Sequence, residues 1–413
     1  MITFFNKDFS CLINSGVNLA LGYQDETLLD GIDLVVVSPG ISIFIPLIKS
    51  AKSRGISVVS EIEVAYQLCK APILAITGTN GKTTTTTLIG EMMKTTNNEV
   101  VVGGNIGLAL SQEVEGVSES GVVVAEISSF QLEGIREFRP HIAAVLNISP
   151  DHLDRHHSME TYIETKERIF YNQTEEDYLI LNYDDSAVRK MAGKAKGKVF
   201  FFSRVEPIAD GIFVRNGEIV IRLEGEIHTV CPLSLIQIPG THNIENVLAA
   251  CAVAFLAGVS LKNIASVVGT FSGVEHRIEP VKEVNGVMYY NDSKATNPES
   301  SIKALEAFPG HMILIAGGRD KNTDLSVFMK LILEKVEHLI LLGEAQKRFY
   351  DSAVAAGFKN IHAVDSMSEA VTLAHQIAQP SQVVLLSPAC SSYDMFKNYE
   401  ERGRIFKELV HQL

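Results

Sequence analysis

The chain has 413 residues, enough for two to three domains at about 150 residues each. Thirty-six Lys and Arg against 49 Asp and Glu leave a net charge of −13, which argues against gripping a nucleic-acid backbone or an anionic membrane. Hydrophobic residues at 46% and charged residues at 21% describe a core-forming chain rather than a disordered one.

The opening MITFFNKDF has no basic region ahead of an apolar stretch, so no secretory leader is expected. Short β-branched runs then recur, each followed by a helical stretch: 33–38, 73–77, 122–126, 143–147, 312–316, 338–342 and 383–387. Continuous rather than alternating apolar runs predict strands buried on both faces, joined as βαβ units in parallel sheets. Residues 198 to 238 break the rhythm with short alternating strands and turn signals such as Arg215-Asn-Gly-Glu218, which predict a small antiparallel patch. The longest near-apolar run, Val247 to Val259, has 13 residues and is too short for a membrane span, so it reads as a buried helix. Five scattered cysteines (Cys11, Cys69, Cys231, Cys251, Cys390) form no CxxC pair, which fits a reducing cytoplasm and argues against a disulfide scaffold or a zinc site. Boundaries are expected near Lys70–Pro72 and Ser272–Val274, giving domains 1–70, 71–274 and 275–413.

Thr77-Gly-Thr-Asn-Gly-Lys-Thr-Thr84 follows a strand and opens a helix. It is shorter than the common GxxxxGKS/T spacing, but the physics carries over. Gly78 and Gly81 permit a tight turn that aims backbone N–H groups at phosphate oxygens, and the helix start adds partial positive charge. Lys82 is placed for β/γ-phosphates, and the hydroxyl of Thr83 or Thr84 for Mg²⁺.

Glu126 ends a strand, where a carboxylate holds Mg²⁺ or simply faces solvent. Asn147-Ile-Ser-Pro-Asp-His-Leu-Asp-Arg-His156 packs Asp151, His152 and Asp154 together. That set suits Mg²⁺ or Mn²⁺ better than zinc, and equally reads as an N-cap with surface histidines. Gly103-Gly-Asn-Ile-Gly107 is by itself only a loop. By residue type alone, Lys166 in Thr161-Tyr-Ile-Glu-Thr-Lys-Glu-Arg168 reads as one more lysine on a solvated helix face.

Taken in order, TGTNGKTT, GGNIG, AEISSFQLE, NISPDHLDRH, Lys166, GTHNIEN, His276-Arg277, NDSKATN, AGGRDK and LSPACSSYDMF resemble the Mur ligases of bacterial cell-wall synthesis, and folylpolyglutamate synthase more distantly. NDSKATNP and SPACSSYDMFKNYEERG are similar to the D-glutamate-adding branch. The resemblance implies an α/β protein of three domains: a small Rossmann-like domain, a central P-loop domain carrying the antiparallel patch, and a C-terminal Rossmann-like domain. It implies an ATP-dependent ligase of cytoplasmic peptidoglycan synthesis, acting as a monomer on UDP-MurNAc-L-alanine and D-glutamate, with no nucleic-acid or membrane partner.

It further implies roles by position. Gly78, Thr79, Asn80, Gly81, Lys82, Thr83 and Thr84 would hold ATP phosphates, with Asn246, Arg277, Asp292 and Lys294 also on ATP. Thr83 and Glu126 would bind one Mg²⁺. Glu126, His152 and Lys166, the last carbamylated, would shape a second metal position. Ser38 and Gly40 would sit near the uridine diphosphate, and Asn105 and Ser128 along the muramoyl-alanine. Thr296, Lys321, Ser392 and Tyr399 would hold D-glutamate. Lys82, Glu126, His152, Lys166 and Lys294 form the expected catalytic set, assembled by domain closure.

Two departures stand out. Ser38-Pro-Gly40 arrives earlier in the chain than in the family, with no Gly-rich turn before it. A shortened first domain with unpaired strand edges and weakened nucleotide binding is the expectation. Gly273-Val-Glu-His-Arg277 replaces the more usual GLPHR. Two rival readings remain: a folylpolyglutamate synthase-like ligase, against which NDSKATNP and SPACSSYDMF speak, and a non-catalytic nucleotide-binding relative.

Overall fold

The computed structural model describes residues 10–22, 24–96, 99–107, 109–320 and 323–413. The opening nonapeptide and Lys321 lie outside the described residues. Contacts divide the chain into two compact units: one takes the chain up to Lys82 plus Met93–Phe201, the other Thr83–Met92 plus Phe202–Leu413.

In the first unit, β1 (Leu34–Val37) and β2 (Ser57–Ser60) pair in parallel. A larger parallel array comes next. β3 (Ile73–Thr77) lies between β5 (Val122–Glu126) and β6 (Ile142–Val145), with β4 (Val100–Gly104) beyond β5 and β7 (Tyr178–Asn182) beyond β6. Every residue of β3, β5 and β6 is buried, as their continuous apolar runs predict. Because side chains alternate along a strand, Ile73, Ala75, Val123, Ala125, Ala143 and Val145 share one face and one core. That core also takes Ile62 and Ala65 from the helix Glu61–Leu68.

The same helix brings in a buried carboxylate. Glu63 is 4% exposed and accepts backbone N–H bonds from Arg136 (2.7 Å), Glu137 (2.9 Å) and Phe138 (3.1 Å). These consecutive amides would otherwise lie without partners next to the β5–β6 connection.

After β8 (Lys198–Ser203), the second unit holds the expected antiparallel patch: β9 (Gly211–Arg215), β10 (Glu218–Leu223) and β11 (Glu226–Pro232), β10 pairing with both neighbours. The apolar run at 247 lies in the helix Thr241–Leu256, where Val247 to Ala254 are all buried. The C-terminal sheet adds β12 (Glu279–Val284), β13 (Val287–Asn291), β14 (Met312–Gly317), β15 (Val336–Leu342), β16 (Ile361–Ala363) and β17 (Val383–Leu386), in the order β12-β13-β17-β14-β15-β16. All its pairings are parallel except β12 with β13. Met312, Leu314 and Ala316 enter the core on one face of this sheet, and Ile313 and Ile315 the core on the other. This is why the 312–316 run is apolar at every position.

The α/β class and its parallel-dominant sheets are as the sequence led us to expect. Among the described residues, no helix is long and apolar enough to cross a membrane. Replacing Glu63 by Ala should leave three consecutive amides, the Phe138 one buried, without their acceptor and lower the unfolding free energy by about 1–3 kcal/mol, read from denaturant midpoints.

Candidate active site

In the first unit, the turn between β3 and the helix Lys82–Met93 is held by the segment beyond β6. Thr79 N–H donates to the Asn147 carbonyl (2.9 Å) and Asn80 N–H to Asn147 Oδ1 (2.8 Å). These two amides are therefore engaged by the 147 segment, where the sequence suggested phosphate-facing donors throughout. The Thr79 hydroxyl lies 3.1 Å from the Tyr162 hydroxyl and accepts from Ser149 N–H (3.0 Å). Burial pushes the Tyr162 phenol up to about 12. Gly78 has φ +152° and no room for more: a Cβ there would stand 3.0 Å from Leu146 Cβ.

Two lysines meet at this turn. Lys82 Nζ donates to the carbonyls of Gly78 (2.9 Å) and Thr79 (2.8 Å). Lys166 Nζ donates to the same Gly78 carbonyl (2.9 Å) and reaches Thr77 Oγ1 at 3.5 Å. The residue-type reading of Lys166 fails here: the side chain is 1% exposed and its Nζ lies 4.8 Å from the centre of the Tyr162 ring. The helix Met159–Glu167 is amphipathic in the other sense, with Tyr162, Thr165 and Lys166 turned inward. Burial holds the Lys166 ammonium well below its ordinary range, the Lys82 charge pushes the same way, and Asp151 and Glu126 oppose them.

Glu126, at the end of β5, is 2% exposed. Its Oε1 accepts from Asn105 Nδ2 (2.8 Å), while Oε2 is buried with no hydrogen-bond partner among the described residues. A carboxylate oxygen desolvated and left unpaired is unfavourable unless a cation completes it. This orphan oxygen and its strand-end position fit a divalent ion. Ser128 caps the next short helix through a reciprocal pair with Gln131. His152 is exposed in the left-handed region (φ 52°), its ring 4.8 Å from that of Phe130. Ser38 and Gly40 lie exposed in the turn after β1.

In the second unit, Thr84, His242, Asn243, Asn246 and Arg277 line a small pocket together with Ile238, Gly273 and Ile278. Asn246 is 4% exposed and donates to Asn243 Oδ1 (2.9 Å). Thr83 is buried at the start of its helix. His242, which lines the same pocket, has no role by sequence pattern. Its position one turn before the buried Asn246 on the same helix is the available signal.

Arg277, Asp292 and Lys294 belong to one hydrogen-bonded knot. His276 sits in the left-handed region (φ 65°) and its carbonyl accepts from Lys294 N–H (3.0 Å). Asp292 accepts from Ile278 N–H (3.2 Å) and from the buried Ser387 hydroxyl (2.7 Å). Asn291 Nδ2 lies 2.9 Å from both His276 Nδ1 and Glu279 Oε2. The last anchor is Arg402, 2% exposed, which donates to Ser293 Oγ (2.9 Å), the Ser293 carbonyl (2.7 Å) and the Cys390 carbonyl (3.0 Å). Burial lowers its guanidinium to about 10. Arg402 lies inside SPACSSYDMFKNYEERG, yet the motif alone gives the arginine no part.

Tyr399 opens the final helix. Its carbonyl accepts from Ser293 Oγ (2.8 Å) and its ring meets His276 edge-on at 6.0 Å. Ser392 is 2% exposed, and Lys294 and Thr296 are half-buried. Glu275, His276 and Glu279 gather potential ligand atoms within 4.8 Å, but Lys407 Nζ already bridges the two carboxylates at 2.7 and 2.8 Å. They form an ion-paired support for the knot.

Models of three domains match the sequence: the Mur ligase MurD-like N-terminal domain at residues 7–60, the Mur ligase middle domain at 76–254, and the Mur ligase glutamate ligase domain at 276–390. A UDP-N-acetylmuramoylalanine–D-glutamate ligase of Thermoanaerobacter sp. (strain X514) is 48% identical over 399 residues, 96% of this chain and 88% of the relative. The chain belongs to the Mur ligase family. A like-named ligase of Clostridioides difficile (strain 630) is 44% identical over 398 residues, again 96% of this chain and 88% of the relative. Two solved Mur ligases share the fold. The UDP-N-acetylmuramate–alanine ligase of Thermotoga maritima has a TM-score of 0.60 at 18% identity, covering 98% of this chain and 90% of that one. MurF of the same organism, in complex with ADP, has a TM-score of 0.60 at 17% identity, covering 94% and 97%.

The knot of this Mur ligase carries a pH signature. Burial raises the Asp292 carboxyl from 3.8 to about 7, against the opposing effects of Ser387, Arg277 and Arg402. A raised carboxyl keeps its proton in the folded chain after the unfolded chain has released it. Its contribution to stability is therefore full below about pH 4 and is lost as pH climbs toward 7. Melting temperatures between these limits should fall more steeply with pH in the parent chain than in Asp292→Asn.

Proposed function

We propose that this protein joins D-glutamate to UDP-MurNAc-L-alanine at the expense of ATP, releasing ADP and phosphate. The observation that carries the reading is the 48% identity over 96% of the chain to a relative named for that reaction. NDSKATNP and SPACSSYDMF support the same branch. Operation as a cytoplasmic monomer with domains 1–70, 71–274 and 275–413 is part of the proposal.

The chemistry needs activation because a carboxylate does not accept an amine at neutral pH. Phosphoryl transfer from ATP turns the L-alanine carboxylate into an acyl phosphate. The D-glutamate nitrogen then adds to the carbonyl carbon, the C–N bond forms, the amine gives up a proton, and phosphate departs with the C–O bonding pair. Phosphoryl transfer asks the protein for positioning and charge neutralisation more than covalent help. Gly78 to Thr84 hold the ATP phosphates, with Lys82 on the β/γ side. Asn246, Arg277, Asp292 and Lys294 hold the rest of ATP. Asn105 and Ser128 lie along the muramoyl-alanine, and Ser38 and Gly40 near the diphosphate. Thr296, Lys321, Ser392 and Tyr399 take D-glutamate.

Mg²⁺, when bound, neutralises phosphate charge and orients the transferred group. Thr83 and Glu126 would hold one ion, and Glu126, His152 and Lys166 would shape a second position. Lys166 suits that role only after a charge reversal. Burial favours the neutral amine of Lys166, whose nitrogen attacks CO₂; a C–N bond forms, one proton leaves, and the neutral amine becomes a carbamate anion.

Phosphate release from ATP should require both UDP-MurNAc-L-alanine and D-glutamate, with L-glutamate and L-lysine inactive. Release indifferent to D-glutamate rejects the reading. Lys82→Ala should lower turnover by about a hundredfold or more, as loss of a transition-state charge partner does. Equilibration with ¹³C-bicarbonate should give a carbamate ¹³C resonance that Lys166→Arg lacks, and its absence from the parent chain rejects carbamylation.

A further inference from the structure

None of the roles above uses Arg155, three residues after His152. Its guanidinium forms four hydrogen bonds. Nε and Nη2 make a two-pronged pair with Glu133 at 3.0 and 2.6 Å. Nη1 donates to the Pro39 carbonyl (3.1 Å), and Nη2 donates also to the Ile41 carbonyl (3.0 Å). The side chains of Arg155 and Glu133 are 14% and 7% exposed, so this is a largely desolvated clamp rather than a surface ion pair. The guanidinium also lies 4.2 Å from the centre of the Phe130 ring, which in turn contacts the His152 ring.

The clamped turn has little else to hold it. Ser38 and Gly40 are exposed, and the turn closes locally through Ile41 N–H donating to the Ser38 carbonyl (3.0 Å). A small pocket beside it is lined by Ser38, Ile41, Phe130 and Ser60, whose buried hydroxyl has no partner among the described residues. Two backbone carbonyls fixed to one planar fork lose much of their freedom before any ligand arrives, which lowers the ordering cost of binding.

We infer that Arg155 is a positioning residue for the nucleotide-sugar substrate, acting through the Ser38–Ile41 turn. This rests on the proposed function, which places the uridine diphosphate near Ser38 and Gly40. The arginine touches the turn and the phenylalanine beside His152, so it sets the one relative to the other. Its effect falls on affinity for the nucleotide sugar and leaves ATP and D-glutamate alone. Lysine cannot replace it, since one ammonium on a flexible stem cannot serve a carboxylate and two divergent carbonyls together.

The test is steady-state kinetics of the full chain as parent, Arg155→Met and Arg155→Lys, varying each substrate in turn, with calorimetric binding of UDP-MurNAc-L-alanine to the parent. Both variants should raise KM for UDP-MurNAc-L-alanine about tenfold or more, the scale of losing charge-assisted hydrogen bonds. KM for ATP and for D-glutamate and kcat should stay within about twofold. A purely structural arginine would lower the melting temperature and the active fraction while leaving every KM in place, and that overturns the inference. Should Arg155→Met not fold, Arg155→Lys decides, because it keeps charge and stem: a parental KM in that variant overturns the inference. A parent chain that neither binds nor turns over UDP-MurNAc-L-alanine rejects the proposed function and the inference with it. A parent that does both, beside variants of unchanged KM, rejects Arg155 alone.

Discussion

Two ammonium groups converge on the carbonyl of Gly78, each at 2.9 Å. That shared acceptor is the constraint on which the first unit's site depends. Two like charges this close repel each other, and the effect falls on the more deeply buried one: the Lys166 ammonium is disfavoured by desolvation first and by Lys82 second. Gly78 can offer its oxygen to both because it has no Cβ, and a side chain there would press on Leu146. The nearby Glu126 poses the complementary problem, with an oxygen buried and unpaired.

The second unit reaches rigidity by different means. Arg277 lies between His276, whose carbonyl accepts from Lys294 N–H, and Ile278, whose N–H donates to Asp292; Ser387 then holds Asp292, and Arg402 holds the neighbouring Ser293. Burial raises the Asp292 carboxyl to about 7 and lowers the Arg402 guanidinium to about 10, so both groups are desolvated although hydrogen-bonded. Their positions are fixed by groups that need never touch a ligand. Support by a second layer of hydrogen bonds keeps a side chain in one rotamer.

Much of this was legible in the sequence. Runs such as 73–77, 122–126 and 312–316 have the one pattern a strand buried on both faces can have, and all three are such strands. The antiparallel patch was visible through its Asn-Gly turn at 216. Strands of mixed composition escaped: β2 has two serines in four residues, and β12 reads EPVKEV. Their pairing partners, not their own pattern, make them strands. Read by residue type alone, without the family resemblance that singled it out, Lys166 was missed for a related reason. Its helix is rich in Glu and Thr and looks solvated until the Thr77–Gly78 turn, distant in sequence, is brought against it. Arg155 and Arg402 lie inside recognisable motifs that give them no evident role. A guanidinium's partners are mostly carbonyls, and carbonyls leave no trace in a sequence.

The Arg402 knot has a consequence for how this region can change over time. Ser293, Cys390, Tyr399 and Arg402 meet through one guanidinium and one hydroxyl, and Asn291 ties His276 to Glu279 beside them. Gly403 leaves no clearance for a side chain against the His276 ring. Groups coupled this closely do not respond independently, so the effect of altering one depends on which of the others has already altered. Drift here is confined to compensated pairs, and most single steps away from the present set are closed. Lineages that separate early would therefore hold this corner nearly constant while the surfaces of the same helices diverge freely.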